Sequence, residues 1–335
     1  MTEVKVATGA GMAERVNIAR IAEIVSADIF SKLGWEAHGV PNESWECNEP
    51  SHEKRDHPTD VTFVYQDPYS ARNVHLITDL KSYAAGSIKE FSLRETIESL
   101  ALAVDCAKDN PKWKDLYLKA GAEYEIQGLV FIYNHDGEYD KSFPEQLHVV
   151  FQDDLTIPKG VRLSIIGPDE VWYLNEMLTD IANLARDEVI PTDKKALKFF
   201  YHSHSRSKVV SQDHSMVATI DMLKGKYQML AYSHANQYGG FRGMLVYYRG
   251  FGESEREFIV LIDMLRSFGV LDNYDKIHVR CARGCSKAAN NFSKAVSQYA
   301  TYGNHEMPSM LKKLEYGSVA SVRPRLSQFE VALRG

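Results

Sequence analysis

His57-Pro-Thr-Asp-Val-Thr-Phe-Val-Tyr65 and, after a short turn, Asn73-Val-His-Leu-Ile-Thr-Asp-Leu-Lys-Ser-Tyr83 form the stretch on which the fold is decided. Its apolar and β-branched residues read as two strands, about 60–66 and 73–81. The connection Asp67-Pro-Tyr-Ser-Ala-Arg72 has the turn chemistry of a hairpin loop. Asp60 stands at the start of the first strand. Asp79 and Lys81 stand where the apolar run of the second one stops. Two residues apart on a strand, Asp79 and Lys81 share a face.

Working outward, residues 12–33 read as an amphipathic helix, with Ile18, Ile21, Ala22, Val25, Ile29 and Leu33 at helical spacing and Gly34 as the stop. Glu23 lies at the flank of that apolar stripe. Residues 36–56 are dense in charge and turn formers and read as a long loop, with Trp35 and Trp45 as anchors. After the hairpin, Ser92 and Glu95 make a capping box for a helix to about Ala107, ended by Asn110-Pro111. Gly128-Leu-Val-Phe-Ile-Tyr133 reads as a strand buried on both faces. Further strands are expected at Leu147–Phe151 and Val161–Ile166, then a helix from Pro168 to about Ala185. Residues 1–190 therefore predict a mixed α/β domain, one sheet with helices on its faces.

The remainder, 195–335, has its own pattern. Strands are expected at Met244–Tyr248 and Lys276–Arg280, and helices at Glu253–Gly269 and Ala288–Tyr302. That order predicts a small α+β domain, with a ferredoxin-like arrangement as the candidate. No internal repeat is visible in the sequence.

Charge divides the same way. Residues 201–335 hold 18 Lys+Arg against 11 Asp+Glu, while 1–200 hold 21 against 34. A basic second unit points to a nucleic-acid backbone, with Arg280, Arg283 and Lys287 as candidate contacts; the alternative is an ordinary solvated surface. His202 and His204 sit among further basic residues and read as a polar linker or a phosphate-contacting edge. No apolar run approaches 18 residues and the N-terminus lacks an apolar signal core, so a cytoplasmic protein is expected. Four scattered cysteines do not make a disulfide framework. Cys281 and Cys285 lack the second pair of a zinc site and read as reduced thiols.

Two aspartates at neighbouring strand ends can hold Mg²⁺, which takes one or two carboxylates and keeps several waters. A lysine beside them can orient the attacking water and offset developing charge. The alternative is a surface ion pair, with Asp60 capping a turn. With Pro58-Thr-Asp60-Val as its first motif and Asp79-Leu-Lys81 as its second, the segment resembles the PD-(D/E)XK nuclease superfamily over roughly residues 12–135. Glu23, eleven residues before Gly34-Trp35, matches the helix glutamate of junction-resolvase-like members. No Q-x-x-x-Y signature of the RecB-type subgroup occurs in the segment and helix that follow Asp79-Leu-Lys81.

The resemblance implies a restriction-endonuclease-like sheet and a Mg²⁺-dependent endonuclease, with Mn²⁺ able to substitute and DNA as substrate. It implies catalytic roles for Glu23, Asp60, Asp79 and Lys81. Asp60, Asp79, Glu23 and the Leu80 backbone carbonyl would serve the metal, and Ser92 and Arg94 would lie near the scissile phosphate. A bacterial defence or restriction effector is the setting it suggests. A homodimer is a further expectation, as is a protein partner for the second domain. The competing readings are a non-catalytic nuclease-like binding module and an RNA-directed enzyme.

Overall fold

The structure, a computed structural model, describes residues 9–119, 123–152, 154–202, 213–236, 239–302 and 307–321. The chain divides into two compact units. Of the described residues, those up to Asp67 and Arg72–Trp172 form the first, and Pro68–Ala71 with those from Tyr173 to Ser321 form the second. The expected boundary at 190–195 thus differs from the observed division, which falls inside a helix.

In the first unit, α1 (Gly9–Lys32) leads into β1 (Glu36–His38). The stretch expected as a loop instead contains the hairpin β2 (Glu43–Glu46) and β3 (Asp56–Thr59). Charge and proline hide it, yet Trp45 is fully buried and its indole N–H donates to Thr59 Oγ1 at 3.0 Å. The deciding hairpin is β4 (Val61–Gln66) and β5 (Asn73–Tyr83), antiparallel with Val61 opposite Thr78. Next come α2 (Glu90–Ala107), α3 (Pro111–Tyr117), β6 (Tyr124–Asn134), α4 (Phe143–Gln152) and β7 (Leu163–Ile166).

The sheet runs β1-β4-β5-β6-β7, with β5, β6 and β7 parallel. Both faces are covered. On one, Phe30 of α1 stacks on Trp35 and meets Phe63 and Phe131 edge-on. On the other, Leu93, Ile97, Leu100 and Val104 of α2 pack with Ile77, Val130 and Ile132. Burial on both sides is why β6 carries a continuous apolar run.

Three local expectations change. Helix α2 starts at Glu90, so Ser92 lies in its first turn and is not its cap. Leu147–Phe151 is helical, not a strand. Its β-branched residues suggested a strand, but Pro144 near the start and the Ser142 hydroxyl accepting the Glu145 N–H favour a helix, which packs on α2. Asn110-Pro111 ends one helix and begins another, since the Asn110 side chain caps the Trp113 N–H at 3.0 Å.

The second unit contains α5 (Pro168–Arg186) from Tyr173 on, then β8 (Leu197–Phe200), β9 (His214–Ser215) and α6 (Ile220–Lys224). A long hairpin follows, β10 (Tyr227–Asn236) with β11 (Gly239–Tyr248). After it come α7 (Glu255–Ser267), α8 (Val270–Asn273), β12 (Lys276–Cys281), α9 (Ala288–Tyr302), α10 (Met307–Leu311) and β13 (Leu314–Ser318). The sheet runs β13-β12-β11-β10-β8-β9, with β11, β12 and β13 parallel. Phe258, Leu261, Ile262 and Leu265 of α7 and Phe292 and Ala295 of α9 pack on Met244, Val246, Ile277 and Val279. The ferredoxin-like expectation is not met, because this sheet is mixed and six-stranded.

Taken separately, the two units share one topology. Each has a helix, a strand, an insertion and an antiparallel hairpin, and then two parallel strands reached through helices. The orders β1-β4-β5-β6-β7 and β8-β10-β11-β12-β13 correspond strand for strand in sequence order and direction. No sequence repeat announces this, because hydrophobic pattern and not residue identity specifies a layer of sheet and helix.

Candidate active site

The hairpin β4–β5 places its charges where its ladder ends. Val61–Thr78 is the last pair, so Asp60 and Asp79 lie just beyond it. The Asp60 carboxylate accepts the Leu80 N–H at 2.7 Å, which fixes its orientation across the strand end. Residues of an extended strand present N–H and C=O to the same side. The Leu80 carbonyl therefore lies on the Asp60 side of β5. Asp79 forms an ion pair with Lys81 on the same strand. Both are partly buried, their side chains 22% and 31% exposed.

The electrostatics show mutual proximity. Burial raises Asp60 above the usual carboxylate range, and the charges of Asp79 and Glu23 push the same way. The Leu80 hydrogen bond and Lys81 oppose them. Burial alone would lower Lys81, but Asp79 and Asp60 outweigh it and hold the ammonium protonated above its ordinary range. Asp60, Asp79 and Lys81 thus lie together at one end of the β4–β5 hairpin, and the charge of Glu23 on α1 acts on Asp60.

Sequence reasoning missed Asn42. Its side-chain amide donates to Glu23 Oε1 at 3.3 Å, and its backbone N–H donates to the Asp60 carbonyl at 2.8 Å. Its φ of 55° is left-handed, a conformation asparagine tolerates better than most residues. Asn42 therefore links the helix acid to the strand acid. An Asn in a polar loop carries no periodic signal; only the Pro41-Asn42 turn dipeptide hinted at a special backbone.

Other candidates fall differently. Arg94 donates to the Asp154 carbonyl at 3.2 Å, and Ser92 lies half-buried on α2. Lys287 is exposed and Arg283 half-buried. Arg280 is not a surface contact. Its guanidinium grips both oxygens of Asp180 at 2.5 and 2.9 Å, and the two side chains are only 16% and 7% exposed. His204 lies outside the described residues. The Cys281 and Cys285 thiols donate to the backbone carbonyls of Gly250 and Gly252.

The matching hairpin of the second unit lacks the acids. Lys226 precedes β10 as Asp60 precedes β4, and Arg249 follows β11 where Asp79 passes the end of the ladder. Arg249 stacks over the Tyr173 ring at 4.3 Å. With bases in place of carboxylates, this strand end offers no comparable cation site.

Residues 12–170 match the family described as the GAPS4 protein PD-(D/E)XK nuclease domain. No match to a curated protein was found.

Proposed function

We propose, from the premise that residues 12–170 are a PD-(D/E)XK nuclease domain, that this domain cuts DNA with Mg²⁺, Mn²⁺ being able to substitute, as part of a bacterial defence or restriction effector. The observation that carries the reading is the hydrogen bond from the Leu80 N–H to Asp60 beside the Asp79–Lys81 pair. It ties both acids and the lysine to one strand end.

The donor set fits the metal. Asp60, Asp79 and the Leu80 carbonyl would hold Mg²⁺, with Glu23 contributing directly or through water, and all are the hard oxygens this ion takes. When bound, the ion would neutralise phosphate charge and lower the pKa of a water. Lys81, kept protonated and fixed by Asp79, is placed to orient the attacking water and offset charge on the phosphate. Asn42 holds Glu23 toward the site.

The second unit, with no acid pair on its hairpin, suits a binding role toward nucleic acid or a protein partner. Lys287 and Arg283 are its candidate contacts. Homodimerisation would let two such sites cut two strands. No helix among the described residues is long and apolar enough to cross a membrane. A cytoplasmic site of action goes with a DNA substrate.

Plasmid, single-stranded DNA and RNA, each incubated with Mg²⁺, Mn²⁺ or EDTA, test the reading. DNA cutting that needs the added metal is the expected result. Cutting that persists in EDTA sinks the metal assignment, and cutting of RNA alone reassigns the substrate. Binding without cutting of any substrate favours the non-catalytic module.

Asn42 gives a finer prediction. Asn42→Gly keeps the left-handed backbone but removes the bond to Glu23. Cleavage is expected to fall about 10–100-fold, as for other residues that orient metal ligands, with an unchanged melting temperature. Asn42→Ala is expected to add a loss of about 1 kcal/mol from the strained φ. Steady-state cleavage rates and thermal melts of both variants check this.

A further inference from the structure

We propose that Cys47, His52, His57 and Cys106 form a structural Zn²⁺ site in the first unit, separate from the strand-end acids and independent of the nuclease reading. Three of the four come from one short stretch with the spacing C-x4-H-x4-H. Cys47 follows β2, His52 ends a single 3-10 turn, and His57 lies in β3. The fourth, Cys106, is in the last turn of α2. Folding brings one ligand atom from each to within 4.8 Å of all the others.

Two of the ligand–ligand distances already match the edges of a tetrahedral site, and the others lie within 4.8 Å. Zinc bonds of about 2.3 Å to sulfur and 2.0–2.1 Å to nitrogen give ligand–ligand edges of about 3.4–3.8 Å. The Cys47 and Cys106 sulfurs are 3.7 Å apart, and Cys47 Sγ is 3.7 Å from His52 Nδ1. Both cysteines are free thiols. Two thiolates and two imidazoles are the ligand set of closed, structural zinc sites, whereas Mg²⁺ takes oxygen.

The surroundings are those of a ligand set. His52 presents Nδ1 to the cluster, and its other nitrogen lies 3.5 Å from Asp105 Oδ2, the carboxylate–histidine arrangement that orients metal-bound imidazoles. The Asn48 N–H and the Asn110 side-chain amide approach Cys106 Sγ at 3.5 and 3.8 Å, and the thiol donates to Asn48 Oδ1 at 2.8 Å, a contact that a metal bond would replace. His57 is 2% exposed, and its buried Nε2 has no hydrogen-bond partner. A buried imidazole nitrogen without a partner is costly, and a metal bond would remove that cost.

The site would staple the β2–β3 hairpin to α2. Asn42 lies just before β2 and Asp60 just after β3. The zinc would therefore fix the segment that presents both to the strand-end group, without touching substrate.

Metal analysis of the purified full chain, expressed with zinc in the medium, tests the proposal. One zinc per chain is expected, retained in Asp79→Asn and lost in Cys47→Ser and in Cys106→Ser. Should the serine variants fail to fold, Co²⁺ loading of the reduced wild-type chain decides. The visible bands of tetrahedral thiolate coordination are expected, together with a higher melting temperature. Folded wild-type protein that holds no zinc and gains neither bands nor stability on loading overturns the proposal. So does zinc that persists in folded serine variants.

Discussion

Asp79→Asn is expected to reduce DNA cleavage to background while leaving the melting temperature unchanged or raised. Lys81→Gln is expected to cost about 10²–10³-fold, the usual range for one electrostatic donor at a reacting centre. The stability side separates a functional site from a structural ion pair. Asp60 is half-buried next to the charge of Asp79, and this repulsion is part of what lifts its pKa. Neutralising Asp79 removes that repulsion and gives up only a partly exposed pair with Lys81, the kind of contact worth little to folding. Residues gathered for chemistry are often held at a cost to stability. Cleavage assays beside thermal melts check both halves. An Asp79→Asn variant that cuts normally removes Asp79 from the site. One that loses activity only because it melts well below the wild type makes the pair structural.

What could be seen in the sequence followed from periodicity. The Asp60, Asp79 and Lys81 charges stood out because they interrupt apolar strand runs, and strand ends are where a sheet can present polar groups. Glu23 was visible as an acid flanking a helical stripe. The β2–β3 hairpin was not, since its buried positions, Trp45, His57 and Thr59, alternate with charge and proline and include only one large apolar side chain. Leu147–Phe151 misled because local β-propensity is weak against packing on α2. The cysteine and histidine cluster was hidden for another reason: Cys106 is far from the other three in sequence, and only the packing of α2 beside the hairpin unites them. The shared topology of the two units was hidden because the equivalent strands carry different residues, bases replacing acids at the decisive ends.

That replacement bears on Arg280, which basic composition marked as a nucleic-acid contact. Its environment is a buried network instead. Asp180 accepts from Arg280 through both oxygens, and the Tyr247 hydroxyl donates to the same carboxylate at 2.9 Å. Burial and Asp180 together push the Tyr247 phenol far above its ordinary range, so it stays a donor. Arg280→Ala leaves Asp180 buried with only the tyrosine, and removal of one partner of such a pair costs about 3–5 kcal/mol. For a unit of this size, that lowers its melting transition on the order of 10 °C. The triple variant Asp180→Leu, Arg280→Met, Tyr247→Phe removes every polar member at once and is expected to regain most of the loss, because no buried group is then left unpaired. Lys287→Ala, at an exposed position, is expected to change stability by less than about 0.5 kcal/mol. Its effect belongs in the salt dependence of DNA binding, where one lost phosphate contact reduces the slope by about one. Urea unfolding and salt-titrated binding of the three variants distinguish the roles. An Arg280→Ala protein as stable as wild type but weaker on DNA would return Arg280 to the surface.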